Sequence, residues 1–424
     1  MTGRALPFDF GTGSFSMYLR LSAMACIDAA ILACVVPLLA IYMRHAHGFS
    51  AHEMSMVYAI GPCAAILSPL LVGQLADRLF SAERVLASVN LLRAGALFAA
   101  ARSDSYAEFL TSMTLVFLLQ VPSLTLGAAV SFHHLKDARH FGGLRVWGSL
   151  GWVAIVWLCS LYLDRFPAAE QAAQVRGCFY LAAALSLVHA VYALTLPETP
   201  PAKGKNPFAV VDAVYLLKSR NFLALLLGGF VMSAAMPFYY VLQGLFMIDG
   251  KGGLGISIAE ASRASTLAQS LELFLFPALA LLFRRLGARW VLFLGLAAWP
   301  LRFAAFMLKN PAWLVMGAQV LHGLNVVFWV ASAVIVVDLL AKGDVRASAQ
   351  GLYAIISSGI GALVGQLAVG EVYGYYELAD GQHDWAAIFA VPFVFTLLGA
   401  LLFFWLYREP APEPAAAEVE LSPS

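Results

Sequence analysis

Apolar residues along this chain fall into twelve stretches of roughly 20 residues, too long and too continuous for the strands or surface helices of a soluble domain. A run of that length crosses the bilayer hydrocarbon as one α-helix. Lipid offers no partner for backbone N–H and C=O groups, so the segment must satisfy them internally. The pattern predicts helices over roughly 17–43, 54–76, 84–102, 107–131, 142–163 and 175–196, then roughly 220–248, 257–283, 289–308, 312–341, 346–375 and 384–407. The expected fold class is therefore all-α, a polytopic membrane protein of twelve transmembrane helices. The first stretch is too long for a signal-peptide core and lacks a clear small-residue cleavage site, so it is expected to remain as helix 1.

Between the sixth and seventh stretches lies a polar, proline-bearing segment from Pro197 to Pro207, which cannot continue a helix. It divides the chain into an expected N-terminal six-helix bundle (1–196), a cytoplasmic linker (197–219), a C-terminal six-helix bundle (220–407) and a Pro/Ala/Glu-rich tail (408–424) that reads as disordered. Lysine and arginine are concentrated on the linker side: Arg78, Arg84, Lys136, Arg139, Lys203, Lys205, Arg284, Arg285, Arg289, Lys342 and Arg346. The last loop on the opposite side holds Glu371, Glu377, Asp380 and Asp384 without a basic residue. The positive-inside rule then puts both termini and the linker in the cytoplasm of a cell whose inner membrane the protein spans.

Composition narrows the function. The 424 residues are 61% hydrophobic and 12% charged, against the roughly 25% charged residues of a soluble domain. A net charge of +1 gives no field for nucleic acid. The five cysteines sit inside apolar segments without CxxC spacing and read as small core residues. There is no Walker loop, GxSxG elbow, HExxH or Cys/His cluster, so neither ATP-driven transport nor common hydrolytic chemistry has its parts, and no metal or cofactor is expected.

A few ionisable side chains interrupt the apolar stretches: Asp28, Arg93, Arg145, Glu272, Arg302 and His322. Each is costly at bilayer depth, on the order of 3 kcal/mol on insertion scales, unless it has a partner or faces a polar cavity. A polar cavity through a helical bundle points to transport. Arg93 reads as a structural residue and His189 as a packed or lipid-interface one. His133 and His134 read as helix-end residues.

The loop after helix 2, Gly73-Gln74-Leu75-Ala76-Asp77-Arg78, resembles the GxxxD(R/K) signature of the major facilitator superfamily. That resemblance implies two bundles rocking about a midplane site, with Gly73, Asp77 and Arg78 as a conformational loop motif. Phe141 to Trp152, Pro122 to Leu135, Trp299-Pro300-Leu301-Arg302-Phe303 and Val345 to Gly351 are similar to segments of the nucleoside:proton symporter family. That narrower resemblance implies a substrate site at Arg145, Ser149 and Trp152 on helix 5, at i, i+4 and i+7, and at Gln269 and Glu272 on helix 8. The chain departs from the family pattern at Pro237 and Tyr240 on helix 7 and at Val326-Val327 on helix 10, where the family carries Phe-Asp. Glu272, Arg302 and His322 also resemble the charged set of lactose-permease-like symporters, with Asn325 where those proteins hold a carboxylate.

The combined expectation is a secondary transporter, not an enzyme, importing a nucleoside or related sugar-bearing solute with protons as a monomer in the lipid bilayer. Arg145, Ser149, Trp152, Tyr240, Gln269 and Glu272 are the expected substrate contacts. Asp28, Glu272, Arg302 and His322 are the expected proton-coupling groups, with Glu272 paired to Arg145 and Asp28 or His322 paired to Arg302. A galactoside-type sugar permease or an uncoupled facilitator is the alternative within transport. Outside it stand a membrane enzyme using His133, His134, Asp137 and His140, or a sensor.

Overall fold

The protein is described by a computed structural model over residues 15–78, 81–135, 141–200, 209–341, 345–379 and 381–409, with side chains at 67–78, 141–142, 209–213 and 347 excepted. It is almost entirely helical. We number the long helices α1 (Phe15–Ala46), α2 (Ala51–Arg78), α3 (Ala82–Arg102), α4 (Tyr106–His134), α5 (Phe141–Leu163), α6 (Gln171–Ala193), α7 (Arg220–Ile248), α8 (258–286), α9 (288–308), α10 (Ala312–Leu340), α11 (Ser348–Tyr375) and α12 (Trp385–Leu406). Ten segments are long and apolar enough to cross a membrane by length and composition among the described residues. One of them, Ile258–Leu308, holds both α8 and α9, and α2 stands in addition to the ten. The expected twelve helices are thus all present, with ends within a few residues of the positions read from hydropathy.

Helix starts follow local chemistry. Ser105 and Ser257 open α4 and α8 with capping boxes, each hydroxyl accepting from the backbone N–H of a glutamate three residues on, which reaches back in turn. Asp384 accepts from the Ala387 N–H to start α12. Between α8 and α9 no loop is needed, because Gly287 takes φ 79° and turns the chain within one residue. The Glu409 carboxylate closes this corner by accepting the backbone N–H groups of Ala288 and Arg289, both at 2.9 Å, at the start of α9.

Large apolar side chains such as Leu92, Trp157, Leu161, Leu398 and Trp405 stand on the outer surface, as lipid-facing positions should. Within the first half, α1 packs on α5 and α6, and α3 on α4 and α6; within the second, α7 packs on α11 and α12, and α9 on α10 and α12. The halves meet where α2 faces α11 and α5 faces α8. Gly151 allows α5 to lie directly on the α1 backbone, since a Cβ there would run into the Cys26 carbonyl.

Every described side-chain hydrogen bond joining the two halves lies at the end opposite the linker. Arg44 donates to Glu377 at 2.8 Å and Ser55 to the Gln366 carbonyl at 2.6 Å. Ser160 donates to the Ala259 carbonyl at 2.9 Å, Gln171 accepts from the Ala259 N–H, and Arg263 reaches Ser160 and Asp164. This end is sealed. Between α6 and α7 the linker's described residues are an irregular stretch at 197–200 and a 3-10 helix, Ala209–Lys218. Gly73, Asp77 and Arg78 lie in the last turns of α2, and their side chains fall outside the described residues, as do Asp137, His140 and the 410–424 tail.

Candidate functional site

A cavity of about 470 Å³ lies between the halves, within the usual range for small-molecule sites. It extends toward the linker end, where Ser131, Leu144 and Arg145 line it. The helices are broken where they border it. α1 loosens at Val36–Leu38 around Pro37, α7 at Val241 after Pro237, α8 at Thr266 and Leu271 on either side of Gln269, and α10 at Val320–Leu321 just before His322. Proline removes a backbone donor and leaves a weak turn, and irregular backbone at this depth is tolerated where it borders a polar cavity.

All six expected substrate residues line this cavity: Arg145, Ser149 and Trp152 from α5, Tyr240 from α7, and Gln269 and Glu272 from α8. Arg145 and Glu272 face it from opposite halves with opposite charges, and no ion pair within bonding distance joins them. The Tyr240 hydroxyl sits 3.1 Å from His322 Nε2, and the His322 ring stacks on Tyr239 with centroids 5.3 Å apart. His322 Nδ1 and Trp152 Nε1 are buried without a hydrogen-bond partner at the cavity's edge. Val326 lines the cavity, whereas Val327 is wholly buried in the core.

The expected proton-coupling residues are placed differently. Asp28 and His322 line the cavity with Glu272, but Arg302 does not. Arg302 is fully buried, donating to the Asn325 side chain at 3.0 Å and the Ala318 carbonyl at 3.3 Å, and its guanidinium lies 4.3 Å from the Tyr239 ring centroid and 4.7 Å from that of Trp299. The expected pairing of Asp28 with Arg302 does not form. The cation beside Asp28 is Arg93, at 3.2 Å, from α3 of the same half.

Arg93 is the centre of a polar cluster that the sequence did not single out. It donates to Ser186, Gln120, Asn90 and Asp28, while Ser123 donates to Asp28 at 2.9 Å. His189 stands against this cluster and also lines the cavity. The signal was present as spacing: Asn90 and Arg93 are one turn apart on α3, and Gln120 and Ser123 one turn apart on α4, so each apolar helix carries a polar stripe toward α1.

Two helical halves around a mid-depth cavity with charged and polar side chains in its wall, hydrogen-bonded to each other at one end while the cavity reaches toward the other, define a secondary transporter of the major facilitator fold. More narrowly, the chain belongs to the nucleoside H+ symporter family, whose sequence model matches residues 15–412. It is 31% identical over 389 residues to the putative nucleoside transporter YegT of Escherichia coli (strain K12), covering 88% of this chain and 90% of the relative. It is 26% identical to the xanthosine permease of the same organism, covering 93% and 96%. The crystal structure of the nucleoside transporter NupG superposes with a TM-score of 0.79 at 22% identity, over 92% of this chain and 99% of that one. The chain is therefore a multi-pass membrane transporter and not an enzyme.

Proposed function

We propose that this family member imports nucleosides with protons across the inner membrane and binds them in the cavity between its halves. The observation that carries this reading is the convergence of six side chains from α5, α7 and α8 on one cavity. Their chemistry suits a nucleoside. Glu272 and Gln269 accept from ribose hydroxyls, Arg145 and Ser149 donate to base or sugar oxygens, and Trp152 and Tyr240 offer ring faces to the base. The unpartnered Trp152 Nε1 and His322 Nδ1 are two further groups for a bound solute to satisfy.

Two carboxylates, Asp28 and Glu272, reach the cavity among the described residues and are the proton-carrying candidates. His322 lines the same cavity, and Arg302 lies behind it, holding Tyr239 and Asn325 in place. We assign both termini to the cytoplasm from the basic loops, with Gly73, Asp77 and Arg78 as the conformational loop there, and take the working unit to be a monomer. The cavity then opens inward. Closure of the outer end and opening of the inner end describe one state of an alternating-access cycle.

The test is uptake of radiolabelled uridine and adenosine into proteoliposomes, with and without an inward proton gradient. Gradient-driven accumulation that is lost in Glu272→Gln supports the reading. Absence of uptake and of exchange for both nucleosides, with folded protein, overturns it and directs the search to sugars.

A further inference from the structure

We propose that Asp28 and His189 form the proton-binding dyad of this transporter, in the wall of the first half and separate from the substrate contacts, with Arg93 as their fixed counter-charge. The inference rests on the transport reading above.

The geometry divides the work between the two oxygens of Asp28. Oδ1 is anchored, accepting from Ser123 Oγ at 2.9 Å and Arg93 Nη2 at 3.2 Å. No described hydrogen bond reaches Oδ2, and Asp28 lines the cavity with 9% of its surface exposed. Oδ2 is thus the oxygen available to water in the cavity.

The same network fixes the state of His189. Asn90 Nδ2 donates to the Leu86 carbonyl at 2.9 Å and to Ser123 Oγ at 3.1 Å, which orients the amide so that its oxygen points the other way. That oxygen accepts from Arg93 at 2.6 Å and stands 3.2 Å from His189 Nδ1. An acceptor facing Nδ1 requires that Nδ1 carry the hydrogen, so in the neutral ring the lone pair is on Nε2. Nε2 is buried and has no partner. A free imidazole base therefore sits beside a carboxylate, its Nδ1 3.7 Å from Asp28 Oδ1.

Arg93 cannot carry the proton itself, since a guanidinium stays protonated. Its four hydrogen bonds, to Ser186, Gln120, Asn90 and Asp28, hold it in place. When a hydronium ion in the cavity gives its proton to Asp28 Oδ2, one O–H bond of the hydronium breaks, one carboxyl O–H bond forms and one water is released, while His189 Nε2, shielded from the cavity here, is the second base of the pair. Protonation at Oδ2 turns an acceptor in the cavity wall into a donor, while Arg93 keeps its three neutral acceptors. The other charged or titratable groups facing this wall are Arg145 on α5 and, across the cavity, Glu272 on α8, His322 on α10 and Tyr240 on α7. From α4 come only the neutral Gln120, Ser123 and Ser131.

The experiment separates exchange from accumulation in proteoliposomes. Counterflow of radiolabelled uridine at equal pH reads the substrate site. Uptake driven by an inward proton gradient of about one pH unit, with the membrane potential clamped at zero, reads coupling, with at most about tenfold accumulation at one proton per nucleoside. Asp28→Asn and His189→Gln are expected to keep counterflow within about threefold of wild type, while accumulation falls to about one. Where Asp28→Asn fails to fold because Arg93 is left unpaired, the double variant Asp28→Asn/Arg93→Gln removes the pair together and is read the same way. Wild-type accumulation in His189→Gln or in either Asp28 variant overturns the dyad, as does loss of counterflow in folded protein, which would make these residues substrate contacts. If wild-type protein shows no nucleoside counterflow, the substrate reading fails and the dyad is judged by infrared difference spectra alone. A protonated-carboxyl band that grows on acidification and is missing from the Asp28 variants supports it, and an unchanged band overturns it.

Discussion

Arg93 and Arg302 occupy the same place in the two halves, each on the third of six helices and each fully buried, yet they are held by opposite means. Around Arg93 a carboxylate and three neutral acceptors meet the guanidinium. Around Arg302 the rings of Tyr239 and Trp299 cover it, with an amide and a carbonyl as acceptors, and Nη1 has no partner. The first arrangement contains a group that can take up a proton at the cavity wall. The second contains no acid and serves to stiffen the aromatic layer behind Tyr240 and His322. One architectural position thus supplies chemistry in one half and rigidity in the other.

The comparison is broken most directly by removing each arginine. Arg93→Met leaves a buried carboxylate without its cation and should cost about 3–5 kcal/mol. Arg302→Met leaves two ring faces and two neutral acceptors and should cost less, about 1–2 kcal/mol. Unfolding of purified protein in detergent checks both, and equal losses would remove the distinction. A smaller effect is expected where the halves meet. Arg44 and Glu377 are partly exposed, so Arg44→Gln should shift the open-to-closed ratio of the outer end by at most about fivefold. Ser265 on α8 lines a small pocket with Pro37 and Gln243; the alkylation rate of Ser265→Cys by an impermeant maleimide, added from the side opposite the linker, reads that shift, and a slower rate would contradict it.

The smallest effect concerns His383 in the second half at the end opposite the linker, stacked on Tyr373 with centroids 3.9 Å apart. Burial holds its pKa below the ordinary imidazole value, with Arg44 acting in the same direction and Glu377 and Asp249 opposing. The unfolded chain then binds the proton more readily. His383's contribution to stability is intact above about pH 6.5 and is lost as pH falls below it. His383→Phe keeps the stack without the titration. Between pH 7.5 and 5.5 it should lose less melting temperature than wild type, by on the order of 1 °C.

Most of the fold was legible in hydropathy because the bilayer imposes one length and one conformation on every span. The substrate-facing residues were legible too, since Arg145, Ser149 and Trp152 share one face of a helix and Gln269 and Glu272 stand about one turn apart. What could not be read was pairing between helices. Periodicity places Asp28 on α1 but does not say that α3, rather than α9, supplies its arginine. The sequence reads His189 as a packed or lipid-interface residue, and it is packed; its second role depends on contacts from α1 and α3 that no single segment reveals. Tyr239 follows the same rule, since its place between Arg302 and His322 is set by the meeting of α7, α9 and α10.

The corner at Gly287 has a practical side. Because α8 and α9 share one residue instead of a loop, the end of the helix bearing Glu272 is held against the start of the helix bearing Arg302. Glu409, three residues past the end of α12, is the clasp on that corner. A truncation or fusion joined at residue 407 or 408 would unfasten it and loosen the corner. Affinity tags for this protein therefore belong beyond residue 409.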